Sequence, residues 1–334
     1  MLILGIESSC DETAAAVISK GKLLSNVVWT QKIHEIYGGV VPEIASREHG
    51  YRISLVVEKA LKDASININQ LDSIAVTYGA GLNGALLVGL NFAKGLSVGL
   101  NIPFIGVNHI EGHIFANLMT NNLIKYPNLC MIVTGGHTQI WLVKRIGDYK
   151  CLSDTLDDSA GEAFDKGARI LGLNYPGGPE IEKNAKNGDP DYYKFPIPKI
   201  KNNPYDFSFS GLKTSLLYKS KDLSKQELKI KRPHLAASYQ KTIVYTLLQK
   251  IKFIVIDQGI KNISITGGVA ANEYFRQEAK ILENKLNVKI YFPPIKFCTD
   301  NAAMIASAGY EYLKKGKSSK LFIEPNPNLS LDSK

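Results

Sequence analysis

The sequence predicts an α/β protein of two lobes, built by using one strand-strand-strand-helix-strand-helix unit twice. Three observations lead there. The chain has 334 residues, more than one compact core usually holds, so two lobes of roughly 100–200 residues each are expected. Two stretches, beginning near residues 2 and 129, open with the same triplet of short apolar runs separated by polar or glycine turns. Helix-period patterns then follow each triplet, with further strand-like runs between them.

In the first half the apolar runs 2–7, 14–19 and 23–30 are short and rich in β-branched residues, as three antiparallel strands of a meander should be. Helical spacing covers 47–62 and 84–98, with a strand at 73–77 between them. A strand at 104–107 leads into a helix opening at Asn108. The second half repeats the triplet at 129–134, 138–144 and 149–155. Helical patterns follow at 161–171, 180–185, 234–257 and 271–285, strands at 263–266 and 288–292, and a last helix at 301–315. The expected lobes are therefore 1–127 and 128–323, the second carrying a helical insertion at about 160–250. Residues 324–334, with Pro325, Asn326, Pro327 and Asn328, read as a loose tail.

Composition narrows the class. With 45% hydrophobic and 21% charged residues the chain is neither disordered nor collagen-like. The opening Met-Leu-Ile-Leu-Gly-Ile-Glu lacks the basic head and small-residue cleavage site of a signal peptide. No window approaches the about 20 apolar residues of a membrane span. Cys10, Cys130, Cys151 and Cys298 are widely spaced without a CxxC pair, against a disulfide scaffold or a zinc knuckle. A cytoplasmic protein is expected. Net charge is +9, and residues 191–252 hold thirteen Lys/Arg against four Asp/Glu. That stretch starts with Tyr192, Tyr193, Phe195, Tyr205, Phe207 and Phe209. It is suited to tracking a phosphate backbone, with a solvated lysine-rich face as the alternative.

Four strand ends run into turns that suit an anion: ESSCDET at 7–13, YGAGLNG at 78–84, TGGH at 134–137 and TGGVAAN at 266–272. Glycine lets backbone approach a ligand and present N–H groups, and a following helix N-terminus adds positive charge. The two TGG turns, taken as one in each half of the duplicated unit, suggest a nucleotide held between the halves. His109 and His113 are four apart on the helix after strand 104–107, so both imidazoles project from one face and can share a metal. The pattern differs from the HExxH of zinc peptidases, because Glu111 stands two residues on, roughly 200° around the helix from His109. Asp300, before the last helix, is the candidate third ligand, its alternative role being an ordinary N-cap. His34, His49 and His234 belong to no constellation.

Taken together, these motifs resemble the TsaD family, also called Kae or Gcp proteins. The matching blocks are GIESSCDETAAAV at 5–17, VPEIASREH at 41–49, NHIEGH at 108–113, VTGGHTQI at 133–140, AGEAFDKGARILGLNYPGGP at 160–179, FSFSGLKT at 207–214, ITGGVAANEYFR at 265–276 and CTDNAAMIA at 298–306. They run in order from end to end. The resemblance implies the duplicated actin-like ATPase fold shared by sugar kinases and heat-shock chaperones. It implies transfer of a threonylcarbamoyl group from threonylcarbamoyl-adenylate to the exocyclic amine of the tRNA adenosine next to the anticodon, releasing AMP. It further implies that His109, His113 and Asp300 bind one metal, iron or zinc. Val133, Thr134, Gly135, Gly136 and His137 would line the adenylate, joined by Asp165, Gly178 and Asn272. His137 stands where archaeal and eukaryotic relatives usually have Asn, implying the bacterial or organellar branch, which works with an inactive TsaB-like paralogue and a TsaE-like ATPase. Asp11 is a candidate base for the amine proton, with a turn or capping role as its alternative. The competing readings are a metallopeptidase, which the displaced Glu111 disfavours, and a chaperone-like ATP-binding protein, which leaves the metal ligands without a purpose.

Overall fold

A computed structural model describes residues 1–198, 200 and 203–332. The chain divides into two compact units, Met1–Asn122 together with the stretch from Thr299 onward, and Leu123–Cys298.

In the first unit β1 (Leu2–Glu7), β2 (Glu12–Ser19) and β3 (Lys22–Thr30) form the expected antiparallel meander. Then come α1 (Pro42–Asp63), β4 (Ser73–Gly79), α2 (Asn83–Leu100), β5 (Phe104–Asn108) and α3 (His109–Leu118). The sheet order is β3-β2-β1-β4-β5, with β1, β4 and β5 parallel. Because side chains alternate along a strand, Leu4 and Ile6 join one core with Ile53, Val56, Val57 and Ala60 of α1 and Leu90 and Ala93 of α2. Gly5 lies between them on the other face. A Cβ there would come within 2.5 Å of the Ala302 carbonyl oxygen and 2.7 Å of the Ala306 Cβ. Both belong to α9 (Ala302–Leu313), the last helix. The absent side chain lets α9 lie directly on β1.

In the second unit β6 (Asn128–Val133), β7 (Thr138–Arg145) and β8 (Asp148–Ser153) repeat the meander. They are followed by α4 (Ala160–Ile170), α5 (Gly177–Ala185), α6 (Ser210–Lys221), α7 (Lys225–Gln258), β9 (Asn262–Thr266), α8 (Glu273–Leu286) and β10 (Lys289–Tyr291). The order β10-β9-β6-β7-β8 matches the first sheet strand for strand, and β6, β9 and β10 are parallel. The duplicated strand order is thus present in both units, and where the first has α1 between its third and fourth strands the second has α4 to α7.

Three expectations are corrected. Helix α7 starts at Lys225, not near 234, and runs through Pro233. A capping box from Ser224 and Glu227 starts it, and the Lys229 carbonyl that Pro233 cannot serve belongs to an exposed residue. Helix α9 belongs to the first unit, not the second, through the close approach at Gly5. The tail expected to be loose is bonded to strand ends of its own unit. Asn326 N–H donates to the Tyr78 carbonyl at 2.7 Å and Gly81 N–H to the Pro327 carbonyl at 3.1 Å. Lys94 Nζ donates to the Ile323 carbonyl at 2.5 Å. Among the described residues no helix is long and apolar enough to cross a membrane.

Candidate metal centre and glycine turns

In each sheet the parallel strands end at one edge, where open α/β folds place their ligands. At that edge of the first unit, β5 passes into α3 without a loop. Asn108 caps the helix, its Oδ1 accepting from Ile110 N–H at 2.8 Å and Glu111 N–H at 3.4 Å. This fixes the next residue, His109, and its neighbour one turn on, His113, whose ring centroids are 4.7 Å apart at 81°. Asp300 joins them for a local reason. The N-cap of α9 is Asn301, whose side chain accepts from Met304 N–H, so Asp300 does not take the alternative capping role. Asp300 Oδ1 lies 3.2 Å from His113 Nε2 and 3.6 Å from His109 Nε2. One ligand atom from each of the three lies within 4.8 Å of the others.

His113 is the test of fit. It is fully buried, and among the described residues neither ring nitrogen has a hydrogen-bond partner, Asp300 Oδ1 being an ion-pair neighbour of Nε2 at 3.2 Å. A buried polar group left so costs about 1–3 kcal/mol. A cation held by His109, His113 and Asp300 would satisfy Nε2 of His113, and two nitrogens with one oxygen suit zinc or iron.

His109 differs. Its Nδ1 is 3.2 Å from Glu7 Oε2 and 3.1 Å from Ser9 Oγ. Burial disfavours its charged form, but the Asp300 and Glu7 carboxylates outweigh that and raise its pKa to about 9. Burial pushes Glu7 the other way, and His109 with the Ser9 contact brings it below the usual carboxylate range. Sequence reasoning missed Glu7. Its signal was its place at the end of the first strand, where the ESSCDET turn begins.

Glu111 is buried and accepts a hydrogen bond from the Tyr312 hydroxyl of α9. Asp11 lies in the β1–β2 turn, between two groups whose pKa values stand well above normal, Cys10 and Glu12. Burial is the main cause, and Asp11 and Asp300 add to it in both. His49 fixes this turn, with Nδ1 2.7 Å from Thr13 Oγ1 and Nε2 2.9 Å from the Cys10 carbonyl.

In the second unit the two TGG turns follow β6 and β9, which are adjacent parallel strands. The expected split, one turn per half, is therefore corrected: both belong to one sheet. Gly267, at φ +100°, makes this possible, since a Cβ there would come within 2.3 Å of the Val133 carbonyl oxygen. Thr134 closes the first turn. Its Oγ1 accepts from Gly136 N–H at 3.2 Å and His137 N–H at 2.9 Å, and its own N–H donates to the His137 carbonyl. Those two N–H groups, expected to face a phosphate, are occupied within the turn. What Gly135 and Gly136 offer is clearance, because a Cβ on either meets no atom within 4 Å.

Helix α4 begins against the same turn, with Gly161 N–H on the Thr134 carbonyl and Ser159 Oγ on the Gly135 carbonyl. Its Asp165 accepts from Gly177 N–H at 2.7 Å, at the start of α5 and beside Gly178, which also faces open space. Asn272 caps α8 through Oδ1 and donates from Nδ2 to Gln240 Oε1 at 2.8 Å. Gln240 in turn lines a cavity of about 400 Å³ with Glu182, Lys186, Glu273 and Tyr274. The basic stretch is only partly free. Lys213 pairs with Asp158, Lys241 with Asp191, and Phe195, Phe207 and Phe209 are buried in the core. Those three rings are not a base-stacking surface. Lys199 and Lys201 lie outside the described residues.

A duplicated five-stranded α/β fold with ligand-type residues at the strand ends defines an actin-like ATPase-fold protein. Solved structures agree. Component A of the (R)-2-hydroxyglutaryl-CoA dehydratase of Acidaminococcus fermentans superposes with a TM-score of 0.57 at 15% identity, over 95% of this chain and 100% of that one. HypF of T. kodakarensis does so at 0.63 and 15%, over 94% of this chain and 48% of that one. A family model described as TsaD, tRNA N6-adenosine threonylcarbamoyltransferase, matches residues 22–307. Relatives of that name from Thermosipho africanus and Caldicellulosiruptor saccharolyticus are 53% and 49% identical, over 99% and 100% of this chain and 100% and 99% of theirs. The chain belongs to the TsaD family.

Proposed function

We propose that this chain transfers the threonylcarbamoyl group of threonylcarbamoyl-adenylate to the exocyclic N6 amine of the tRNA adenosine next to the anticodon. The amine nitrogen bonds to the carbamoyl carbon, the bond from that carbon to the phosphate oxygen breaks, and AMP leaves with the electron pair. The amine proton passes to a base, for which Asp11 is the candidate. Family membership supports the reaction. The observation in the site that carries the reading is the buried His113 beside Asp300 and His109. His109, His113 and Asp300 would hold a metal, iron first and zinc second, which would supply Lewis-acid chemistry when bound.

In the second unit, Val133, Thr134, Gly135, Gly136 and His137, with Asp165, Gly178 and Asn272, receive the adenylate. The turn glycines contribute room, while Asp165 and Asn272 hold the surrounding helix starts in place. A single-stranded anticodon loop presents its base without melting a helix. The working complex includes a TsaB-like paralogue and a TsaE-like ATPase, in the cytoplasm, consistent with four free cysteines.

A peptidase needs a carboxylate base beside metal-bound water. Glu111 instead takes the Tyr312 hydroxyl and sits about 200° around α3 from His109. His113→Ala is therefore expected to lose both bound metal and tRNA modification. Glu111→Gln should keep the metal and at least a tenth of the transfer rate, a loss below about 1.4 kcal/mol. Metal analysis, nucleoside mass spectrometry and peptide-cleavage assays on both variants decide. Peptide cleavage by the wild type that Glu111→Gln abolishes would overturn the transferase reading.

A further inference from the structure

The Glu7 carboxylate is fully buried at the end of β1, one of three parallel strands that finish together. Its three polar contacts are specific. Oε1 accepts from Ser9 N–H at 2.5 Å, and Oε2 accepts from the Thr77 hydroxyl of β4 at 2.6 Å. The remaining reach of Oε2 goes to His109 Nδ1 at 3.2 Å, while Ser9 Oγ approaches the same nitrogen at 3.1 Å.

A neutral imidazole carries its proton on one nitrogen, and only the bare one can bind a metal. The Ser9 hydroxyl is indifferent, since it can donate or accept. A carboxylate only accepts, and its own donors are already placed by β1 and β4. It therefore favours the tautomer with the proton on Nδ1. That leaves the Nε2 lone pair free on the side of Asp300, 3.6 Å away. Among the described residues no such partner stands behind His113, whose Nδ1 is unbonded.

We infer that Glu7 is a positioning residue for the metal centre: through His109 Nδ1 it selects the tautomer and ring orientation that expose Nε2 to the ion. The inference rests on the metal-binding reading of His109, His113 and Asp300. Outer carboxylates of this kind typically change metal affinity by about 10–100-fold.

The test is zinc titration of the purified full-length chain, wild type against Glu7→Gln, with ¹⁵N-imidazole NMR of the six histidines. Glutamine keeps the size but puts an amide donor among these contacts, which favours the proton on Nε2. Expected are a loss of at least tenfold in zinc affinity and a His109 resonance that shifts from the Nδ1–H to the Nε2–H tautomer in the metal-free protein near pH 10. Metal-free melting temperatures report any general damage. Glu7→Asp, which restores the carboxylate one methylene short, should recover part of the affinity. Equal zinc affinity in wild type and Glu7→Gln, or an unchanged tautomer, overturns the inference. A wild type that takes up neither zinc nor ferrous iron would instead overturn the metal reading beneath it.

Discussion

At Gly136 the backbone is outside the left-handed region, and a Cβ meets nothing in the protein. The fold therefore has no use for a glycine there, and a larger residue is excluded only by something that fills the space. Gly136→Val should leave the melting temperature within about 2 °C, as ordinary surface changes do, and lower affinity for a non-hydrolysable adenylate analogue by more than about tenfold. Calorimetry checks both, and unchanged affinity would take the turn out of the site. How residues could be read from the sequence divides along the same line. The four-residue spacing of His109 and His113 is a helix period, so their shared face was legible. Asp300 was legible as a candidate, but its release from capping depends on Asn301 taking that place. Glu7 could not be found by spacing, because its relation to His109 exists only once β1, β4 and β5 lie side by side.

The insertion elements show how a carboxylate holds a segment in place. Asp157 accepts from the Ser208 and Ser210 hydroxyls at 2.6 and 2.7 Å and from Phe209 and Ser210 N–H at 2.7 and 3.2 Å, securing the start of α6 within the FSFSGLKT block. Burial alone would raise its pKa, but these donors outweigh burial and hold it below the usual carboxylate range. The stability it adds is therefore present above about pH 4, the ordinary value, and is lost as pH falls through the lowered one. Asp157→Asn should destabilise the protein by about 1 kcal/mol at pH 7, an amount discounted for exposure. The gap should close towards pH 2. Melting curves of the two proteins across that range measure it, and a gap that stays constant would show that the charge is not what matters. Strands and most helices of both units were readable from apolar period. Helix α6 was not, because only Leu212 and Leu216 are buried in it, too few to make a period. The start of α7 was not legible, because a proline inside a helix usually breaks it and here Pro233 does not.

For the whole molecule, the charge excess is the property most exposed to revision. With Lys213 and Lys241 paired and three aromatic rings buried, the lysines at the start of α7 are the part of the stretch we propose attracts RNA. Replacing Lys225, Lys229 and Lys231 by Glu, while leaving Arg232 with its buried Nε, should weaken tRNA binding and flatten its log-log salt dependence by about 2. Adenylate binding should not change. An unaltered salt slope would mark the lysines as a solvated face. The lobe boundary was the least legible feature, because α9 reads as a continuation of the second half. What ties it to the first sheet is the missing side chain of Gly5. This return has a bearing on how the molecule comes into being at the ribosome. Residues 123–298 are contiguous and can close around their own core while the remainder is still being translated. The first unit must wait, with β1 and β4 lacking the helix that covers one of their faces, until residues 299–313 have left the exit tunnel. Asp300 arrives in that same segment. A nascent chain thus has both histidines long before it has Asp300, and a product released before residue 300 lacks the third of the proposed ligands.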